Sequence, residues 1–280
     1  MQVRAALADG EKQLARLYGR GVEARLLLAQ ALGVSQSYLL AHGEDELAAA
    51  TLTTYHTYLS RAQQNEPIPY ILGTAPFFDL NLKVTPAALI PRPETEQLVE
   101  LVVRWAKKQA RPDLIGVDVG TGTGCIVITL ARQLTQTHLS AVDISPPALA
   151  LAQENAKIGQ VEGRITFFTG HLLEPITSPV DFVVANLPYV RDDEWTPLDD
   201  RVKSYEPALA LRGGADGLVL ICELLRQAQT KLTPLGAIFL EIGWQQGAAA
   251  THLAYNFFPQ AHVQCLQDYA GKDRFIFIQT

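Results

Sequence analysis

The sequence predicts an α/β protein: a mostly parallel sheet covered by helices on both faces, closing on an antiparallel strand, with a small helical bundle ahead of it. Three observations predict it. The first 65 or so residues carry helical spacing and no strand signal. After Pro93, short apolar runs alternate with amphipathic helical ones, the pattern of crossover units whose sheet is buried on both sides. The runs HVQCLQD and RFIFIQT are joined too tightly for a crossover, so the final strand is expected to be antiparallel.

In the N-terminal part, Leu52, Tyr55, Leu59 and Ala62 recur at helical spacing, as do Leu28 and Leu32 one segment earlier. Gly21, Gly33 and Gly43 punctuate the segments, and Ser35 and Asp45 are expected N-caps. Together these make a bundle of about four or five helices. Glu66-Pro67-Ile68-Pro69-Tyr70 reads as a stiff connector, because proline locks φ. FFDLNLKV, residues 77–84, alternates like one arm of a hairpin, and Pro86, Pro91 and Pro93 follow it. The expected division is a helical domain over 1–70, a connector with a hairpin over 71–92, and the sheet domain over 93–280.

Within that last domain, ETEQLVELVVRWAKK places Leu98, Leu101, Val102 and Trp105 on one helical face. LIGVDV is a buried strand, followed by a glycine loop and the helix CIVITLARQL. LSAVD and the helix PPALALAQENAKIG come next, then the strands ITFF and DFVVA. GLVLICELLRQAQTKL is a helix and GAIFLEIG a strand.

Composition narrows the function classes. Of 280 residues, 48% are hydrophobic and 19% charged, enough to bury a core and too apolar for disorder. The net charge of −6 argues against sequence-independent phosphate binding, which leans on Lys and Arg, so no direct nucleic acid partner is expected. Cys125, Cys222 and Cys265 are far apart and match neither a zinc spacing nor a disulfide framework, which points to no metal and a cytoplasmic setting. No apolar stretch reaches about 18 residues, so no membrane association is expected. MQVRAALADGEKQ carries charges where a signal peptide needs its apolar stretch.

Two features carry chemistry. The first is Asp118-Val119-Gly120-Thr121-Gly122-Thr123-Gly124-Cys125, which leaves a strand and opens a helix. Glycines there let backbone approach a ligand, and the helix start offers unpaired N–H groups. The next strand ends on Asp143, about twenty residues on, where a carboxylate takes the two ribose hydroxyls of a nucleoside. A plain glycine turn, with Asp143 as a helix cap, is the simpler alternative. The spacing is GxGxG, not the GxGxxG of dinucleotide sites. With the antiparallel last strand, this resembles the Rossmann-like sheet of S-adenosylmethionine-dependent methyltransferases, in which Gly120, Thr121, Gly122, Thr123, Gly124 and Asp143 would hold S-adenosyl-L-methionine.

The second feature is VANLPYV at the end of the DFVVA strand, whose carboxyl end is expected to face the same crevice. Asn186 would stand beside the methyl donor, its side-chain oxygen accepting a hydrogen bond from a substrate NH₂. The Leu187 carbonyl can accept another, since Pro188 pushes Leu187 into an extended conformation. Tyr189 can pack on a flat π-system. The set suits a planar nitrogen, either a carboxamide or the exocyclic amine of a nucleobase.

NLPY occurs in adenine-N6 methyltransferases acting on RNA or DNA, whereas glutamine methyltransferases of peptide chain release factors (the HemK/PrmC family) usually carry NPPY. Leu89 to Glu96, LIPRPETE, resembles the second family's IPRP(E/D)TE signature. PIPYILGTAPFFDLNLKV is similar to its connector and hairpin, Asp118 to Gly124 to its DxGTGTG loop, and Tyr205 to Leu211, YEPALAL, to the segment after its NPPY. The resemblance covers essentially the whole chain. It implies methyl transfer from S-adenosylmethionine to the side-chain amide of the glutamine in the Gly-Gly-Gln motif of class 1 release factors, with relatives that methylate a ribosomal protein as the near alternative. It also implies that Asn186, Pro188 and Tyr189 hold the glutamine, that Asn186 borders the cofactor, and that residues 1–70 dock the substrate. The family's GD pair after the third strand is Gly170-His171 here, so His171 is expected as a rim histidine. Arg92, Glu94 and Glu96 either open a helix or line the substrate entrance.

Overall fold

The computed structural model describes residues 1–18 and 21–280. The chain divides into two units, Met1–Thr74 with Asp199–Tyr205, and Ala75–Leu198 with Glu206–Thr280.

The first unit holds α1 (Val3–Tyr18), α2 (Val22–Leu32), α3 (Gln36–Ala41), α4 (Ala49–Gln63) and α5 (Ile68–Leu72). Tyr55, Leu59 and Ala62 of α4 share a core with Leu27 and Leu28 of α2. The Tyr55 phenol passes α1 at Gly10, where a Cβ would lie 1.9 Å from its oxygen. Ser35 caps α3, its Oγ accepting the Tyr38 N–H at 3.2 Å. Asp45 does not cap α4. Glu46 is drawn into an antiparallel bridge with Gln2, and the helix starts only after Ala48. The expected stiff connector is corrected too: Pro67 and Pro69 open α5, where a missing N–H costs no helical bond. The segment Asp199–Tyr205 groups with this unit, and boundaries at 70 and 92 do not contain it. Tyr205 Oη donates to the Gln64 carbonyl at 2.7 Å, and the Arg201 guanidinium stands 5.6 Å over the Tyr18 ring.

The second unit begins within a hairpin, β1 (Thr74–Phe77, its first residue grouped with the first unit) and β2 (Leu80–Lys83). Residues 77–84 are therefore not one arm; Phe78 turns the chain with φ 51°. Then follow α6 (Pro93–Ala106), β3 (Ile115–Val119), α7 (Cys125–Gln133), β4 (His138–Asp143), α8 (Pro146–Ile158), β5 (Ile165–Thr169) and β6 (Val180–Asn186). After β7 (Val190–Arg191), α9 (Asp192–Trp195), α10 (Asp200–Tyr205, grouped with the first unit) and β8 (Arg212–Gly214) come α11 (Val219–Ala228), β9 (Leu232–Glu241), α12 (Gly247–Phe257), β10 (His262–Gln267) and β11 (Asp273–Gln279). Sequence reasoning passed over α12 and the short β7–β8 pair.

The main sheet has 7 strands in the order β10-β11-β9-β6-β3-β4-β5. The run from β9 to β5 is parallel, and β11 is antiparallel to both neighbours. β6 alternates faces as a fully buried strand must. Phe182 and Val184 join the core under α6 and α7, while Val183 and Ala185 join the one under α11 and α12. The Phe182 ring fills the space that Gly116 leaves open, since a Cβ there would sit 2.1 Å from its Cζ, and meets Trp105 edge-on at 5.9 Å. Phe182→Ala is expected to lower stability by about 3–5 kcal/mol. Denaturant titration checks this; an unmoved midpoint would mean the ring carries little of the core.

The chain order reverses at β3, with β4 and β5 on one side and β6 and β9 on the other. Ligands of open α/β sheets bind outside the carboxyl ends of the strands at such a point. The register pairs Val119 with both Val142 and Ala185, and Asn186 with Glu241. Gly120, Asp143, Asn186 and Glu241 thus arrive at one rim.

Candidate active site

Gly120, Gly122 and Gly124 have φ of 74°, 55° and 81°, the left-handed region that glycine enters at least cost. Their surroundings differ. A Cβ on Gly120 would meet Leu187 Cδ2 at 3.1 Å, and one on Gly122 would find nothing nearer than Ala88 Cβ at 3.7 Å. Gly124 does not line the cavity; it lets α7 pack on α8, where a Cβ would lie 2.9 Å from Ile128 Cδ1 and 3.1 Å from Ala152 Cβ. The Thr121 hydroxyl donates to Asp118 Oδ2 at 2.7 Å, and the Thr123 carbonyl accepts from Asn155 Nδ2 at 2.9 Å. Both anchor the loop from behind. Burial pushes the Asp118 carboxyl up to about 7, against the opposing pull of the Thr121 hydrogen bond.

The loop borders a cavity of about 260 Å³. Asp143 lines it with both oxygens engaged, Oδ2 by the Gly122 N–H at 2.8 Å and Oδ1 by the Ser145 N–H at 2.9 Å. Each carboxylate oxygen keeps a second lone pair, so a vicinal diol can still be accepted. Ile144 and Leu209 line the same cavity while 51% and 63% exposed, apolar surface left for a flat apolar ligand to cover. His171 lines it as well, half-exposed, with Nδ1 3.5 Å from Glu174 Oε1.

The entrance residues separate. Arg92 lines the cavity and is held by the buried Glu206, which accepts its Nη2 at 2.6 Å and the Ile90 N–H at 3.1 Å. Glu96 instead accepts the Phe78 N–H at 2.7 Å and secures the hairpin turn. Pro93 begins α6, with Glu94 and Glu96 in its first turn.

Asn186, Leu187 and Pro188 line the cavity; the Tyr189 ring does not. Burial pushes the Tyr189 phenol up to about 12, reinforced by the nearby Glu241 charge. Asn186 Nδ2 donates to Thr95 Oγ1 at 3.1 Å, and Thr95 Oγ1 donates to the buried Glu241 Oε2 at 2.8 Å. Neither Thr95 nor Glu241 was among the residues that the sequence singled out as a site. The signals present were a hydroxyl in the first turn of a helix entering from the entrance segment, and an acid closing a buried strand.

Comparison with known proteins bears on this geometry. Residues 5–73 match the PrmC N-terminal domain family, and residues 100–198 match the methyltransferase small domain family. A release factor glutamine methyltransferase of Moorella thermoacetica is 39% identical over 98% of this chain and 97% of its own length. One from Lactococcus lactis subsp. lactis is 42% identical over 78% of this chain and 79% of its own. This chain belongs to the release factor glutamine methyltransferase family. Among solved structures, a methyltransferase from Pyrococcus furiosus covers 80% of this chain and 98% of its own with a TM-score of 0.54; at 14% identity that likeness speaks for the fold alone.

Two residues that differ from the motifs of the resemblance described above lie at the cavity. Leu187 stands in the corner of NLPY, and its side chain is 4% exposed, packed across Gly120. His171 stands at the rim beside Gly170, where the pattern carries an acid. The donor set fits S-adenosylmethionine: a glycine loop open at Gly122, a carboxylate with lone pairs to spare, and uncovered apolar side chains on the walls.

Proposed function

We propose that this protein transfers a methyl group from S-adenosyl-L-methionine to the side-chain amide nitrogen of the glutamine in the Gly-Gly-Gln motif of class 1 peptide chain release factors, acting in the cytoplasm. The carrying observation is the orientation of Asn186. Its NH₂ is turned inward onto Thr95, so its Oδ1 is the polar atom left for the cavity.

Gly120, Gly122 and Asp143 would hold S-adenosylmethionine, which would supply an electrophilic methyl carbon and a sulfur able to keep the C–S electron pair. Asn186 Oδ1 accepts one N–H of the glutamine amide, and the Leu187 carbonyl accepts the other. An amide lone pair is delocalised into its carbonyl. Two acceptors holding both hydrogens bias the nitrogen toward pyramidal geometry and aim its lone pair at the methyl carbon. The nitrogen forms the N–C bond and gives one proton to water. Alignment of this kind contributes up to about 7–11 kcal/mol in the best cases. Pro188 keeps the corner rigid, and the buried Tyr189 phenol lies outside the cavity, near Glu241.

The test is labelled methyl transfer to purified release factor, with a Gln→Ala substitution in its Gly-Gly-Gln motif and bare RNA alongside. Label is expected on the unmodified release factor alone; label on the RNA would overturn the reading. The helical domain, residues 1–70, is proposed to dock the release factor, because a glutamine side chain offers little area for specificity. Its removal is expected to weaken methyl transfer far more than cofactor affinity, measured by calorimetry; equal losses would count against docking.

A further inference from the structure

We propose that Thr95 and Glu241 are positioning residues that decide which face of the Asn186 amide the substrate meets; the proposal rests on the functional reading above. A carboxamide turned over about its last bond exchanges an acceptor for a donor while changing its shape very little. For Asn186 that exchange would be ruinous, since a substrate NH₂ would then face an NH₂. The neighbouring hydrogen bonds choose. An ionised carboxylate only accepts, so Glu241 requires the Thr95 hydroxyl to donate toward it, at 2.8 Å. Thr95 Oγ1 then presents a lone pair to Asn186, which only the NH₂ can use, at 3.1 Å. The polarity runs one way, from Asn186 through Thr95 to Glu241, and Oδ1 is left for the cavity.

Thr95 and Glu241 are 2% and 1% exposed, so water does not offer either group a substitute partner. Protonation of Glu241 makes the reverse polarity available: the carboxyl donates to Thr95, Thr95 donates to Asn186 Oδ1, and the amide turns its NH₂ to the cavity. Burial pushes the Glu241 carboxyl up to about 7, so that both states lie within reach of neutral pH. The groups facing it are Thr95 and Asn186, whose hydrogen bonds favour the carboxylate, Arg274 of β11, which also favours it, and Glu94 of α6, which opposes it. Tyr189 and Cys125 feel its charge, but burial pushes each up to about 12, so they stay neutral across the range.

Three variants test this: Thr95→Val, which keeps shape without the hydroxyl, Thr95→Ser, which keeps the hydroxyl, and Glu241→Gln. Thr95→Val is expected to lower kcat about 10- to 100-fold, as loss of an outer-shell partner does elsewhere, with cofactor affinity unchanged. Thr95→Ser should recover most of the rate. Wild-type kcat should climb as pH rises through about 7, and Glu241→Gln should lose that climb. A readout free of turnover is the side-chain NH₂ resonance of Asn186 in the nitrogen-labelled protein, which should shift over the same pH range in wild type and stop shifting in Glu241→Gln. Equal rates for Thr95→Val and Thr95→Ser, or an Asn186 resonance indifferent to Glu241, would overturn the proposal. If the wild-type protein methylates no glutamine, the functional reading falls, while the resonance still decides the orientation.

Discussion

Asn186→Ala is expected to cut kcat for release factor methylation by about 100- to 1000-fold, the usual cost of removing one preorganised polar contact to a reacting group. Asn186 closes β6 and lines the cavity, and its amide is tethered from behind by Thr95. Truncation removes the acceptor and leaves the Thr95 lone pair unused. The glutamine nitrogen then keeps at most one acceptor, and the planar carboxamide turns as a unit about the Cγ–Cδ bond, so fewer encounters present a lone pair to the methyl carbon. Cofactor affinity, read by calorimetry, is expected to survive, because Gly120, Gly122 and Asp143 do not depend on this side chain. Wild-type turnover in this variant would show that Asn186 does not orient the substrate.

Asp143→Ala is expected to weaken S-adenosylmethionine binding by about 10- to 100-fold, with a smaller effect on kcat at saturating cofactor. The carboxylate does two things at once. It ties the Gly122 and Ser145 N–H groups at 2.8 and 2.9 Å, and it holds out its remaining lone pairs to the ribose diol. Asp143→Asn separates the two, since its single carbonyl oxygen can keep only part of that set. An affinity equal to wild type in both variants would reduce Asp143 to a loop tie, the simpler alternative raised by the sequence.

The parallel core of the sheet was legible because each strand is a short apolar run bounded by a loop, and the GxGxG loop by its spacing, whereas the positive φ of its glycines is a finding of the structure. Ser35 as a cap was legible for the same local reason. The first two misses have a long-range cause and the third a local one. Asp45 failed as a cap because Glu46 pairs with Gln2, a partner distant in the chain. Residues 77–84 split because Phe78 takes an unfavourable left-handed φ inside a turn whose amide is claimed by Glu96. α12 carried little amphipathic signal, since Ala250 and Ala254 bury small side chains where Leu or Val would have marked a face.

By itself, the sequence determined which segments become strands and helices and which residue types stand at their ends, since backbone preference and side-chain period act over a few neighbours. Tertiary structure decided who faces whom. Gly124 looks like a cofactor residue and serves helix packing, Thr121 spends its hydroxyl on Asp118, and Thr95 meets Glu241 across 146 residues of chain. Strand register and helix docking assign those partners. A buried hydrogen bond is direction-dependent, so only the assembled sheet settles that Asn186 turns its NH₂ inward.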